Sequence, residues 1–174
     1  MKKHIALTGF MAAGKSTIGK KLARKVGVAF YDADDLVVKD HGAISDIFYS
    51  QGEKQFRQYE HDVIEHVVDA EAPGILALGG GAVTHEETAK LLKKRTYRVF
   101  IKVPPEQIVG RLRRSPRVRP LIGPKPSLSK VKELYEKRLP HYSHADYVVE
   151  ADGLTTAQIV DRIVDWMHTK HIIL

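Results

Sequence analysis

Residues 9–16 read Gly-Phe-Met-Ala-Ala-Gly-Lys-Ser, a glycine and four residues followed by Gly-Lys-Ser. Glycines at such positions let successive backbone N–H groups turn inward around phosphate oxygens. A helix starting at the end of the loop presents its positive pole to the same anion. In this pattern Lys15 supplies a point charge for the outer phosphates of a nucleotide, and the Ser16 hydroxyl is placed to ligate Mg²⁺. The flanking sequence provides the required context. His4–Thr8 predicts a short buried strand, and Lys15–Val26 predicts a helix with Ile18, Leu22 and Val26 at steps of four. The plainer alternative is a glycine turn that caps a helix and meets no nucleotide.

Three other groupings bear on an acceptor. Asp32-Ala33-Asp34 follows a second predicted strand, Ala29–Tyr31. At the C-terminal end of a parallel strand it faces the crevice where such sheets bind ligands. Residues i and i+2 of an extended chain share a side, so both carboxylates point at the phosphate loop. One would hold Mg²⁺ through water, and the other would orient or deprotonate an acceptor hydroxyl. A turn with a helix N-cap explains the same pair as well. Glu53, Phe56, Arg57 and Glu60 fall on one helical face. Spacing alone favours a solvated Glu53–Arg57 salt bridge worth ~0.3–0.5 kcal/mol over glutamates that aim Arg57 at a carboxylate. Gly79-Gly80-Gly81 ends a predicted strand at Ile75–Leu78 and permits either close backbone approach to a ligand or a loop needing positive φ. Arg138, late in a predicted helix, serves either the C-terminal dipole or an anion.

The elements that must position these groups alternate along the chain. Helices are expected at Asp34–Asp40, Ser45–Ser50 and Glu53–Ala70, with Gly42 dividing the first two. His85–Arg95 is helical, and Tyr97–Val103 is a strand whose Val99, Ile101 and Val103 alternate with Arg98 and Lys102. Pro104-Pro105 opens a helix through Arg113, since proline is tolerated in a first helical turn. Residues 114–126 hold Pro116, Pro120, Pro124 and Pro126 and show no period, so they predict a long surface loop of the kind that is usually functional. Ser127–Leu139 and Thr156–Lys170 predict helices around a last strand at Tyr147–Glu150. Five short strands alternating with helices specify one α/β domain, residues 1–174, with a parallel sheet.

Composition narrows the class. The 174 residues include no cysteine, which excludes a disulfide framework, a thiolate zinc site and a cysteine nucleophile. Net charge is +7, yet residues 93–138 hold 15 basic and three acidic residues, a basic third on a mildly acidic body. Such a third suggests an anionic partner: nucleic acid, a phosphate-bearing cofactor or an acidic metabolite. A solvated basic surface chosen for solubility is the bland alternative. Lys2 and Lys3 before Ile5–Gly14 imitate a signal peptide, but the apolar stretch is short and interrupted and lacks a small-x-small cleavage site. No run approaches the ~18 apolar residues of a membrane span.

Taken together, Gly9–Thr17, Asp32-Ala33-Asp34, Gly52-Glu53 with Phe56-Arg57 and Glu60, Leu78-Gly79-Gly80-Gly81, Arg119-Pro120-Leu121, and Leu134-Tyr135 with Arg138 and Tyr142 resemble shikimate kinase over essentially the whole chain. Only the phosphate loop is distinctive alone; order and spacing make the set specific. The resemblance implies a nucleoside-monophosphate-kinase-like P-loop fold, five parallel strands ordered 2-3-1-4-5 and flanked by helices. It implies an acceptor-binding region at about 33–61 and a lid at about 112–126. The implied reaction moves the ATP γ-phosphoryl group to the 3-hydroxyl of shikimate, in chorismate and aromatic amino acid biosynthesis. Asp34 would contact that hydroxyl. Arg57, Arg138 and the backbone of Gly79, Gly80 and Gly81 would hold shikimate. Ala12, Ala13, Gly14, Lys15, Ser16, Thr17 and Arg119 would bind ATP, and Ser16 with Asp32 would hold Mg²⁺. A cytoplasmic monomer, with no nucleic-acid or membrane partner, completes the expectation.

Three departures stand out. Ala12 takes a place where this family commonly has glycine, and alanine prefers negative φ. Arg111, Arg113 and Arg114 compete for one contact on the adenine side. Asp152-Gly153-Leu154 lacks the arginine often found after the last strand. The competing enzyme reading is a related small-metabolite kinase such as a gluconate kinase. The competing binding reading is a nucleic-acid-binding protein using the basic third, although Arg111–Arg119 holds no aromatic residue for base stacking. The histidines lack a His-Glu-x-x-His pattern, and Trp166 and Met167 read as core or surface of the last helix.

Overall fold

A computed structural model describes residues 4–117 and 119–174. Lys2 and Lys3, part of the leader-like start, lie outside the described residues. The strands are β1 (His4–Thr8), β2 (Ala29–Asp32), β3 (Gly74–Ala77), β4 (Thr96–Lys102) and β5 (Tyr147–Glu150). All pairs are parallel, and the order is β2-β3-β1-β4-β5, as expected. The helices are α1 (Lys15–Val26), α2 (Ala33–His41), α3 (Ile44–Ala70), α4 (Glu86–Arg95), α5 (Pro105–Arg114), α6 (Leu128–Tyr142) and α7 (Thr156–Thr169), with a 3₁₀ turn at Ala82–Thr84.

Strand β1 is central and buried along its whole length, because parallel strands joined by helical crossovers are covered on both faces. The same cover corrects the expectation for β4. Its apparent alternation predicts an outward Arg98, but Arg98 and Phe100 are buried with Val99 and Ile101. Asp146 meets Arg98 there, accepting from its backbone amide at 2.7 Å and lying 3.8 Å from its guanidinium. Helix α1 packs Ile18 and Leu22 on the sheet and stops at Gly27, whose φ of 74° suits a left-handed C-cap.

Helix α3 is longer than the two predicted pieces. It runs through both, broken only at Gly52, where φ 85° and ψ 169° are non-helical. Helix α6 continues past the predicted stop at Leu139. Pro140 sits in its last turn, and the final carbonyls are closed by the Ser143 amide on Leu139 O at 3.0 Å. That extra turn carries Tyr142 to the site. The described residues between α5 and α6 are irregular, as predicted, and buried Ile122 fastens this stretch to the body. A second, small apolar cluster of Val37, Ile47, Phe56 and Val63 joins α2 to α3, apart from the main core. Among the described residues no helix is long and apolar enough to cross a membrane.

Candidate active site

The phosphate loop joins β1 to α1 at the C-terminal edge of the sheet. Gly9 and Gly14 take φ of 147° and 94°, and Ala12 takes φ 60°. The negative φ expected of Ala12 is therefore wrong: the loop imposes the left-handed backbone on alanine as it would on glycine. Its carbonyl accepts from Arg111 Nη1 at 3.1 Å, which singles out Arg111 from its two neighbours as the arginine touching this loop. Arg113 instead donates to Pro126 O at 3.3 Å. The Lys15 ammonium is folded onto the loop's own carbonyls, 2.7 Å from Gly9 O and 2.8 Å from Phe10 O. Burial pushes it down to about 8, against the pull of Asp34 and Asp32.

Asp32 and Asp34 are arranged differently from the expectation. They do not share one face of an extended strand, because helix α2 begins at Ala33. Asp32 is the N-cap, its Oδ1 accepting from the amides of Asp34 and Asp35 at 3.1 and 3.3 Å. Its other oxygen accepts from the Ser16 hydroxyl. Capping and loop contact are thus simultaneous, not alternatives. A hydroxyl and a carboxylate converging beside a phosphate loop form the hard-oxygen pair that suits Mg²⁺. Asp34, in the first turn of α2, is raised above the usual aspartate range by desolvation and then by the Asp32 carboxylate. Lys15, Arg117 and Arg119 pull it the other way.

Two cavities meet at Asp34. The smaller, about 150 Å³, is lined by the phosphate loop with Thr17, Asp32, Arg117 and Arg119. The larger, about 330 Å³, is lined on one side by Val38, Ile44, Phe48 and Phe56 and on the other by Arg57, Glu60 and Arg138. Asp34, Met11, Gly80, Arg117 and Arg119 line both.

The solvated salt bridge expected from spacing at Arg57 does not hold. Arg57 is only 8% exposed and Glu60 1%, and Arg57 Nη1 donates to Glu60 Oε1 at 2.7 Å. Exposed Glu53 contributes only a longer contact, 3.4 Å. Helix periodicity places these residues on one face but cannot say that the face turns inward. Glu60 is pushed up to about 6 by burial, and its Oε2 has no hydrogen-bond partner. Arg138 is 4% exposed, its Nη1 is likewise without a partner, and its guanidinium lies 5.7 Å from the centre of the Phe10 ring. Two buried guanidiniums facing one cavity, each with an unused donor (Arg57 Nε and Arg138 Nη1), call for an anion.

The three glycines serve close approach, not positive φ. A Cβ on Gly79 would lie 2.2 Å from Glu60 Oε2, and one on Gly80 would lie 3.0 Å from the Met11 amide nitrogen. On Gly81 it would meet Arg57 Nη2 at 2.2 Å and Arg138 Nη2 at 2.9 Å. None of the three has positive φ. The Tyr142 hydroxyl, pushed up to about 12 by burial, donates to Gly80 O and fixes this backbone. Sequence reasoning passed over Glu60 as a cavity wall, and Arg117. The signal for Glu60 was its one-turn spacing from Arg57; nothing local marked Arg117.

A five-stranded parallel sheet, a phosphate loop with its lysine and serine, and an adjoining cationic cavity that shares one carboxylate define a P-loop kinase acting on a small anionic acceptor. A sequence profile of the shikimate kinase family matches residues 11–168. A shikimate kinase of Caldicellulosiruptor bescii is 38% identical over 163 residues, 93% of this chain and 94% of that one. The solved Acinetobacter baumannii shikimate kinase in complex with shikimate superposes with a TM-score of 0.91 at 30% identity, covering 99% of this chain and 97% of the other. That from Aquifex aeolicus gives 0.82 at 34% identity over 97% and 98%. The chain belongs to the shikimate kinase family. It is an ATP- and Mg²⁺-dependent kinase of shikimate, an enzyme of aromatic amino acid biosynthesis.

Proposed function

We propose that this chain transfers the γ-phosphoryl group of ATP to the 3-hydroxyl of shikimate at the junction of the two cavities, with Asp34 as the group that takes the hydroxyl proton. The supporting observation is that Asp34 lines both the phosphate cavity and the acceptor cavity. The acceptor oxygen bonds to the γ-phosphorus, the bond from that phosphorus to the bridging oxygen of ADP breaks, and the proton passes to Asp34. A carboxylate raised by burial is a stronger base than a solvated one. Arg57 and Arg138 hold the shikimate carboxylate, with Gly79, Gly80 and Gly81 giving the ring its close backbone contact. The amides of Ala12, Ala13, Gly14 and Thr17, with Lys15 and Arg119, cradle the phosphates. Ser16 and Asp32 would hold Mg²⁺, which when bound neutralises phosphate charge.

In this reading residues 33–61 are the acceptor-binding region and 112–126 a lid that carries Arg119 and keeps competing water from the phosphates. One chain supplies every group the reaction uses, which supports action as a monomer. ATP and shikimate are soluble metabolites, which supports a cytoplasmic site of action with no nucleic-acid or membrane partner.

The test is ADP production with shikimate, quinate or gluconate as acceptor, for wild type and Asp34→Asn. Stimulation by shikimate alone, and a loss on the order of 10²–10⁴-fold in kcat in the variant with nucleotide affinity retained, is expected. Stimulation by gluconate instead would favour the other small-metabolite kinase, and wild-type turnover in the variant would remove Asp34 from the proton transfer.

A further inference from the structure

We propose that Arg117 is a second lid arginine of this enzyme and contacts the phosphoryl group in transit, beside Arg119. The inference rests on the junction being the transfer site. Arg117 lines the phosphate cavity, the acceptor cavity and a third cavity of about 180 Å³ beneath the lid. Among the described residues only Arg119 shares all three. Both guanidiniums act on Asp34, the carboxylate at the junction. Among the described residues neither side chain has a carboxylate within ion-pair distance or a hydrogen bond of its own, and Arg119 Nε is buried without a partner. Burial, and after it the neighbouring Arg117, disfavours the charged form of Arg119.

Two cations held side by side in irregular chain repel each other, and the single carboxylate acting on both, Asp34, offsets only one of their charges. Their placement becomes favourable when a multiply charged anion lies at the junction. The phosphoryl group between donor and acceptor spreads negative charge over three equatorial oxygens, and planar guanidiniums neutralise such charge. Arg117, which like Arg119 lines both cavities at Asp34, supplies a second donor set where charge accumulates. Arg117 is exposed and no part of the buried core, so its substitution separates chemistry from stability.

The experiment compares wild type, Arg117→Ala, Arg117→Lys and Arg119→Ala by steady-state kinetics at low and at 0.5 M salt (an order of ~0.5 M collapses the Debye length to a few ångströms). ATP and ADP affinities are measured in parallel by calorimetry. Arg117→Ala is expected to lower kcat on the order of tenfold or more, with little change in KM for shikimate and no change in thermal midpoint. The loss persists in high salt, ATP affinity falls more than ADP affinity, and Arg117→Lys recovers part of the rate. Wild-type kcat in Arg117→Ala, or an effect confined to KM that vanishes with salt, overturns the proposal and leaves Arg117 as a steering charge. If wild type itself shows no shikimate-dependent turnover, the site assignment fails first, and that result is distinguishable because it precedes any variant.

Discussion

The Arg57 guanidinium fills the space that a side chain at Gly81 would occupy, its Nη2 lying 2.2 Å from where the Cβ would stand. Arg138 Nη2 is 2.9 Å from the same point. The glycine is therefore the condition for two arginines to reach one cavity. Gly81→Ala displaces the far ends of flexible side chains and leaves the backbone in place, so the variant should fold normally. Its KM for shikimate should rise on the order of tenfold, the scale of losing one charge-assisted contact, while ATP affinity stays. An unchanged KM would mean that Arg57 does not hold the acceptor.

Lys15 gives a pH dependence to nucleotide binding. Buried against carbonyls in the ligand-free enzyme, it titrates at about 8. Phosphates favour its charged form, so the complex takes up a proton wherever the free enzyme has lost one. ATP affinity should be level up to about pH 8 and then weaken by up to about tenfold per unit, with proton uptake detectable by calorimetry in buffers of different ionisation heat. Affinity that is flat from pH 7.5 to 9 would contradict this role.

Glu60 works in the opposite sense on stability. Its folded value, about 6, lies above the ordinary 4.5 because of burial. The folded state therefore retains a proton that the unfolded state has released. Its stabilising contribution is fully present below about 4.5 and lost as pH rises through about 6, a difference on the order of 2 kcal/mol. Denaturant unfolding from pH 4.5 to 7.5 should show this slope in wild type and not in Glu60→Gln. The same slope in both proteins would place its source elsewhere.

Ala12 holds a φ of 60°, which costs an alanine about 1–2 kcal/mol relative to the right-handed region and a glycine little. Part of that is returned by the lower chain entropy of unfolded alanine. Ala12→Gly should therefore raise unfolding free energy by roughly 0.5–1 kcal/mol, read from the denaturation midpoint, and keep the Arg111 contact, which uses the backbone carbonyl. A lower midpoint would show that the methyl group packs usefully.

Helix α1 and the phosphate loop were legible in the sequence because they rest on local periodicity and on a motif whose physics is confined to eight residues, whereas strand order, a non-local property, came only with the family resemblance. Burial was less legible. Arg57 and Arg98 both look solvated on pattern alone, since a charged residue on a helix face or at an alternating strand position is usually outside. What turns them inward is non-local: the acceptor cavity in one case, cover on both faces of an inner strand in the other. The triple glycine was visible as a request for space, but the occupants, Glu60 and the two arginines, come from α3 and α6. Helix α6 runs past the expected end at Leu139, because a proline in the last turn forfeits one hydrogen bond without ending the helix.

The small cluster of Val37, Ile47, Phe56 and Val63 gives the acceptor cavity walls of unequal cohesion. Val38, Ile44 and Phe48 stand on segments that pack on this cluster through Val37 and Ile47, upstream of the break at Gly52, with α2 reaching the main core through Ala33 at its start, whereas Arg138 stands on a helix that buries Val131 and Tyr142 in the main core. Sub-global opening follows the weaker attachment. Amide hydrogens of α2 and of Ile44–Gln51 should exchange with solvent long before those of β1 or α6, so the apolar wall can unfasten and reclose while the charged wall stays in register with the phosphate loop.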